Sequence, residues 1–140
     1  MRFMVMIKAN AQTEAGEMPS EAVLAAMGQY NEALMTAGVL IGGEGLHPSA
    51  RGARVNFRDG RCQVTDGPFA ETRELIAGFW LFETASLAEA IDWIKRCPPE
   101  AIGDSDIEIR QIFEMDDFGA EFTPELREQE ERLRTRLNHN

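Results

Sequence analysis

The run from Leu75 to Glu83, with Phe79-Trp80-Leu81-Phe82 at its heart, constrains this chain most, because apolar or small residues fill nearly every position instead of alternating with polar ones. A half-exposed strand shows a polar side chain at every second place, so this run predicts a central strand covered on both faces. Helices of the same chain can cover one face. The other is expected to meet a partner surface.

The segments around it supply that setting. Met1 to Lys8 reads as a first strand. Ala9 to Met18 is a mixed polar stretch without a clear period. Ser20 then offers an N-cap, with Glu21 at the positive end of the helix dipole and Val23, Met27, Tyr30 and Leu34 at helical spacing up to the stop at Gly38. Val39-Leu40-Ile41 reads as a short strand, and Gly42-Gly43-Glu44-Gly45 as a loop. Arg54 to Arg58 and Cys62 to Val64 alternate around Asp59-Gly60, a strong hairpin signal. Ser86-Leu87-Ala88-Glu89 is a capping box that opens a second helix ending at Cys97-Pro98-Pro99, and Ile107 with Ile109 marks a last strand. Thr123-Pro124 begins a third helix to about Asn138, with a thin stripe of Leu126, Leu133 and Leu137 and spaced pairs Glu128/Arg132 and Glu130/Arg134. Strand, helix, strands, helix, strand favours an α+β sheet with helices on one face.

A chain of 140 residues suits one domain, here 1–115, followed by a C-terminal helical extension, 116–140. The net charge of −10 repels nucleic-acid backbones and anionic lipid, and no segment is long and apolar enough to span a bilayer. Neither nucleic acid nor membrane is therefore expected as a partner. The N-terminal apolar run is too short for a signal peptide, which points to the cytoplasm. Cys62 and Cys97 are lone and far apart, and read as reduced, buried small hydrophobes.

Asp66-Gly67-Pro68-Phe69-Ala70-Glu71-Thr72-Arg73-Glu74 closely resembles the D-G-P-F-x-E-x-K-E signature of DGPF-domain proteins in the YCII-related superfamily, with Arg73 replacing the lysine. Ala37-Gly38-Val39, Glu44-Gly45-Leu46-His47-Pro48, Arg58-Asp59-Gly60, Gly78-Phe79 and Ile107-Glu108-Ile109-Arg110 fall in the family's order. The resemblance covers roughly Arg2 to Glu114. It implies a ferredoxin-like fold of the dimeric α+β barrel type, here with an extra β-hairpin and a C-terminal helix. It also implies a homodimer and, through the genomic company of DGPF-type proteins, a regulatory link to an extracytoplasmic-function sigma factor. Some relatives are thought to use a His/Asp pair. That pair does not carry over, because no histidine lies between Pro19 and Gly38 and Cys97 stands before Pro98. The family's final Arg-Pro reads Arg110-Gln111.

The candidate site surrounds the DGPF segment. Asp66, before Gly67-Pro68, is either a turn acceptor for backbone N–H groups or a general base and ligand anchor. Phe69 is expected to pin the loop. Arg54 and Arg58 share a strand face and could meet Glu71 and Glu74, as an ion-pair network or as a guanidinium site for a small carboxylate or phosphate. His47 is either a surface residue or a base that titrates near neutrality. Glu44, His47 and Asp66 are too scattered to form a metal-binding motif, so no metal is expected, and no cofactor is implied. Two functions follow: a homodimeric domain binding a small polar or aromatic ligand near the DGPF loop, or a cofactor-free enzyme doing proton-transfer or lyase-type chemistry with Asp66 as base.

Overall fold

Phe3, Val5 and Ile7 recur at every second residue, which places them on one face of a strand, and that face begins the core. In the computed structural model, which describes residues 1–139, the chain runs β1 (Arg2–Lys8), α1 (Ala11–Glu14), α2 (Glu21–Thr36), β2 (Leu40–Gly45), β3 (Ala53–Arg58), β4 (Arg61–Asp66), β5 (Ile76–Glu83), α3 (Leu87–Ile94), α4 (Pro99–Ile102), β6 (Ile107–Gln111) and α5 (Pro124–Asn138). Asn140, the end of the expected extension, lies outside the described residues.

Four strands form one antiparallel sheet in the order β2-β5-β1-β6, the ferredoxin-like arrangement. It is an open sheet. One chain does not close a barrel by itself. β5 is central, as its composition requires.

Phe3, Val5, Trp80 and Phe82 point from the sheet into a core completed by Tyr30 and Leu34 of α2, Ala90 of α3, Val39 and Cys97. Burying each large apolar side chain contributes roughly 1.5–3 kcal/mol. The core's polar atoms are paired: the Tyr30 hydroxyl donates to the Trp93 carbonyl at 2.7 Å, and the Trp80 indole N–H donates to Asn31 Oδ1 at 3.0 Å. Met4 opposite Leu81, and Met6 opposite Phe79, form the other sheet face, where only Met6 is buried.

Caps fix the helix starts. Ser20 Oγ accepts from Val23 N–H, Ser86 Oγ from Glu89 N–H, and Thr123 Oγ1 from Leu126 N–H. The mixed stretch after β1 forms α1, a single turn capped reciprocally by Asn10 and Thr13.

The glycine cluster is a strand and not a loop. Gly42 and Gly43 face Leu81 and Trp80 across the β2–β5 ladder, and a Cβ on Gly43 would stand 2.9 Å from the Phe79 carbonyl and 3.0 Å from the Trp80 ring. Glycine is what lets this edge strand approach the tryptophan.

The β3–β4 hairpin forms its own two-stranded sheet, with Asp59 and Gly60 both at positive φ, as a two-residue type I′ turn demands. Cys62 on this hairpin is exposed, contrary to the expectation of two buried thiols, because every residue of both strands faces solvent.

α5 carries both expected ion pairs, Glu128–Arg132 at 3.2 Å and Glu130–Arg134 at 2.9 Å. It is rooted through Arg127–Asp116 at 3.0 Å, and the segment before it through Arg2–Glu114 at 2.8 Å.

Candidate functional site

Three chain segments converge where β1 ends and β5 and β6 begin. Lys8 lies opposite Ile76, and Ile7 opposite Ile107, so the loops that lead into β5 and β6 meet the turn that leaves β1. Between them lies a cleft of about 680 Å³, lined by Lys8 to Gln12, by Thr72 and Arg73, and by Gly103 to Asp106. Its wall is tied together. Lys8 N–H donates to the Asp106 carbonyl at 2.9 Å, and Ser105 Oγ donates to the Lys8 carbonyl. The Lys8 ammonium lies 3.6 Å from Glu108.

The lining therefore offers a guanidinium on Arg73, an ammonium on Lys8, carboxylates on Asp104 and Asp106, and the side chains of Asn10, Gln12, Thr72 and Ser105. No aromatic ring lines it, which suits a polar ligand better than an aromatic one. A planar guanidinium matches a carboxylate or phosphate in its fork geometry.

The DGPF segment is held by side chains that the sequence pattern does not reveal. Ser49 Oγ donates to one Glu14 carboxylate oxygen, Ser49 N–H donates to the other at 2.9 Å, and Phe69 N–H donates to Ser49 Oγ at 3.1 Å. Gly67 N–H donates to the Gly52 carbonyl at 3.0 Å, and the Gly67-Pro68 peptide is cis. A Cβ on Gly67 would collide with the Ser49 carbonyl, so only glycine fits. The Arg54 guanidinium lies 3.9 Å from the centre of the half-buried Phe69 ring. Phe69 is thus fixed from two sides.

None of the expected site residues lines this cleft: Asp66, His47, Arg54, Arg58, Gly67, Pro68, Phe69, Glu71 and Glu74 all lie outside its lining, and the part of the DGPF segment that reaches it is Thr72 and Arg73, which were not expected in the site. Asp66 is exposed at the end of β4, and its carboxylate accepts no hydrogen bond among the described residues: the residue two positions on, whose N–H an Asx-turn uses, is Pro68, which has none, and Phe69 N–H goes to Ser49. Glu71 and Glu74 are exposed and form no ion pair with Arg54 or Arg58 among the described residues. His47 is exposed with both ring nitrogens 3.0–3.1 Å from one Arg51 nitrogen. No group of three His, Cys, Asp or Glu side chains is placed to hold a metal among the described residues.

Sequence reasoning missed Lys8, Asn10, Gln12, Glu14, Ser49, Thr72, Arg73, Asp104, Ser105 and Asp106. Asn10-Ala11-Gln12-Thr13 carried a capping signal. Ser49 and Glu14 carried none, since their meaning lies in a contact across thirty-five positions.

Burial pushes the Cys97 thiol up to about 11 and the Tyr30 hydroxyl well above its ordinary range. The hydrogen bond from Arg2 holds the Glu114 carboxyl below its usual value. None of these groups lines the cleft.

An open ferredoxin-like sheet with helices on one face, an added hairpin and a polar cleft at the sheet end defines a small α+β architecture. The chain belongs to the YCII-related domain family, whose model matches residues 1–116. An uncharacterised protein of Rhizobium meliloti (strain 1021) is 44% identical over 50 residues, which is 36% of this chain and 40% of that protein. The matched stretch thus spans about two fifths of that relative's length. The solved structure of 5-chloro-2-hydroxyhydroquinone dehydrochlorinase from Burkholderia phenoliruptrix AC1100, in complex with 2,5-dihydroxybenzoquinone, aligns over 85% of this chain and 100% of that one, with a TM-score of 0.43 and 10% identity. No helix among the described residues is long and apolar enough to cross a membrane.

Proposed function

We propose that this chain is a homodimeric binding domain of the DGPF branch, which takes a small polar molecule bearing a carboxylate or phosphate in the cleft between Lys8–Gln12, Thr72–Arg73 and Gly103–Asp106. The observation that carries this reading is that the end of the DGPF segment, Thr72-Arg73, lines the cleft and brings an arginine to it. The dimer reading is supported by the half-exposed face of Met4, Phe79 and Leu81 on a central strand, an apolar surface that a second sheet would cover. The regulatory link to a sigma factor rests on the resemblance alone.

A thermal-shift screen with malonate, benzoate and inorganic phosphate tests the site. At least one anion should raise the melting temperature of the wild type and fail to raise that of Arg73→Ala. Equal shifts in both proteins would refute the assignment. The enzymatic alternative with Asp66 as general base requires a substrate at an exposed strand end, outside the cleft.

A further inference from the structure

The charges that line the cleft are not balanced for a plain anion. Of its two cationic side chains, the Lys8 ammonium lies 3.6 Å from Glu108, whereas Arg73 is in no ion pair among the described residues. Asp104 and Asp106 share the lining with that unpaired arginine, and neither is in an ion pair among the described residues. The hydrogen bonds that fix Asp106 use its backbone: Lys8 N–H donates to its carbonyl at 2.9 Å, and its carboxylate stays available. An incoming carboxylate or phosphate gains Arg73 but is repelled by two aspartates. A ligand that also carries a cation is attracted by both sets.

The two kinds of charge come from different strands. Arg73 precedes β5, Asp104 and Asp106 precede β6, and β1 lies between those strands in the sheet. Two inter-strand steps separate the segments by roughly 10 Å at the sheet end. The segment that leaves β1, between them, contributes Ala9, Asn10 and Ala11 to the lining, all uncharged. Asn10 Oδ1 is occupied by Thr13 N–H at 2.9 Å, and its Nδ2 lies toward Gly103, where a Cβ would stand 3.6 Å away. A molecule that serves both charged sets therefore carries its charges on separate ends, joined by a short uncharged chain.

We propose that the cleft takes a zwitterion, a small ω-amino acid whose carboxylate pairs with Arg73 and whose ammonium pairs with Asp104 and Asp106. The guanidinium offers a carboxylate two parallel donors, and an ammonium has three donors to divide between two carboxylates. The assignment rests on the anion-binding reading above and narrows it, from any carboxylate or phosphate to a carboxylate with an amine a few carbons away.

Matched probes test the second charge. γ-Aminobutyrate and ε-aminocaproate are titrated into the full chain beside butyrate and caproate, with affinity read by calorimetry. At least one amino acid should bind about ten-fold tighter than the acid of equal chain length, the gain expected of one added hydrogen-bonded charge pair. Asp104→Asn/Asp106→Asn, a change at two exposed side chains, should remove that advantage and leave the acid bound as well as before or better. Arg73→Ala should abolish the binding of both. Equal affinity for amino acid and acid in the wild type, with both lost in Arg73→Ala, would overturn the zwitterion and leave the anion site standing. An advantage that persists in the double asparagine variant would overturn the roles of Asp104 and Asp106. If none of the four probes binds through Arg73 while malonate or phosphate still does, the zwitterion alone falls, and if those anions fail as well, both readings fall.

Discussion

Ser49 and Glu14 are thirty-five residues apart, yet the Ser49 side chain and its own backbone N–H both donate to the Glu14 carboxylate, while the same hydroxyl accepts from Phe69 N–H. One serine therefore ties the turn after β1 to the DGPF segment. Ser49→Ala removes a donor from a half-buried carboxylate and strands the Phe69 N–H. An unsatisfied group of this kind costs on the order of 1–3 kcal/mol, so urea denaturation should show a loss of that size. A loss below about 0.5 kcal/mol, the size usual for a neutral surface change, would mean that the tie carries no stability.

Gly67 packs against the Ser49 carbonyl with no room for a side chain. Gly67→Ala must displace that backbone and with it the Phe69 hydrogen bond. Its destabilisation should exceed that of Ser49→Ala, and a double variant should lose less than the sum because the two act on one contact. Strict additivity in the same denaturation series would show that the two sites are independent.

Alkaline pH should unfold the protein early. Cys97 and Tyr30 are neutral when protonated, and burial raises both in the folded state, Cys97 to about 11. The unfolded chain releases these protons from roughly pH 8.5–10, so above that range the folded state binds more protons and stability falls as pH rises. The contribution is fully present below the unfolded thiol's range and lost as pH climbs through the folded one. Melting temperatures measured from about pH 8 to about pH 11 should decline. A flat profile across that window would be incompatible with two buried protonated groups.

Much of the fold was legible because its signals were local. The apolar run at Phe79-Trp80-Leu81-Phe82 indicated a central strand, Asp59-Gly60 indicated the hairpin turn, and Ser20, Ser86 and Thr123 indicated three helix starts. Gly42 and Gly43 misled, since the usual breaker here serves as space for Trp80, a neighbour that only the ladder brings close. The site was less legible for the same reason. The motif drew attention to Asp66, its most chemically versatile residue, but Pro68 two positions on has no N–H for it to accept, Phe69 N–H goes to Ser49, and Arg73 is the motif's charged side chain that lines the cleft. Asp104, Ser105 and Asp106 had no pattern to mark them, because a loop becomes a wall only when β6 is placed beside β1.

On the proposed function, small anions bind at Arg73 and not at Asp66. Amide chemical-shift mapping of the wild type, titrated with the anion that gives the largest thermal shift, tests it most directly. Perturbations should concentrate in Lys8 to Gln12, Thr72, Arg73 and Gly103 to Asp106, be abolished by Arg73→Ala and be unchanged by Asp66→Asn. Perturbations centred on His47, Arg58 and Asp66, lost in Asp66→Asn and kept in Arg73→Ala, would contradict it.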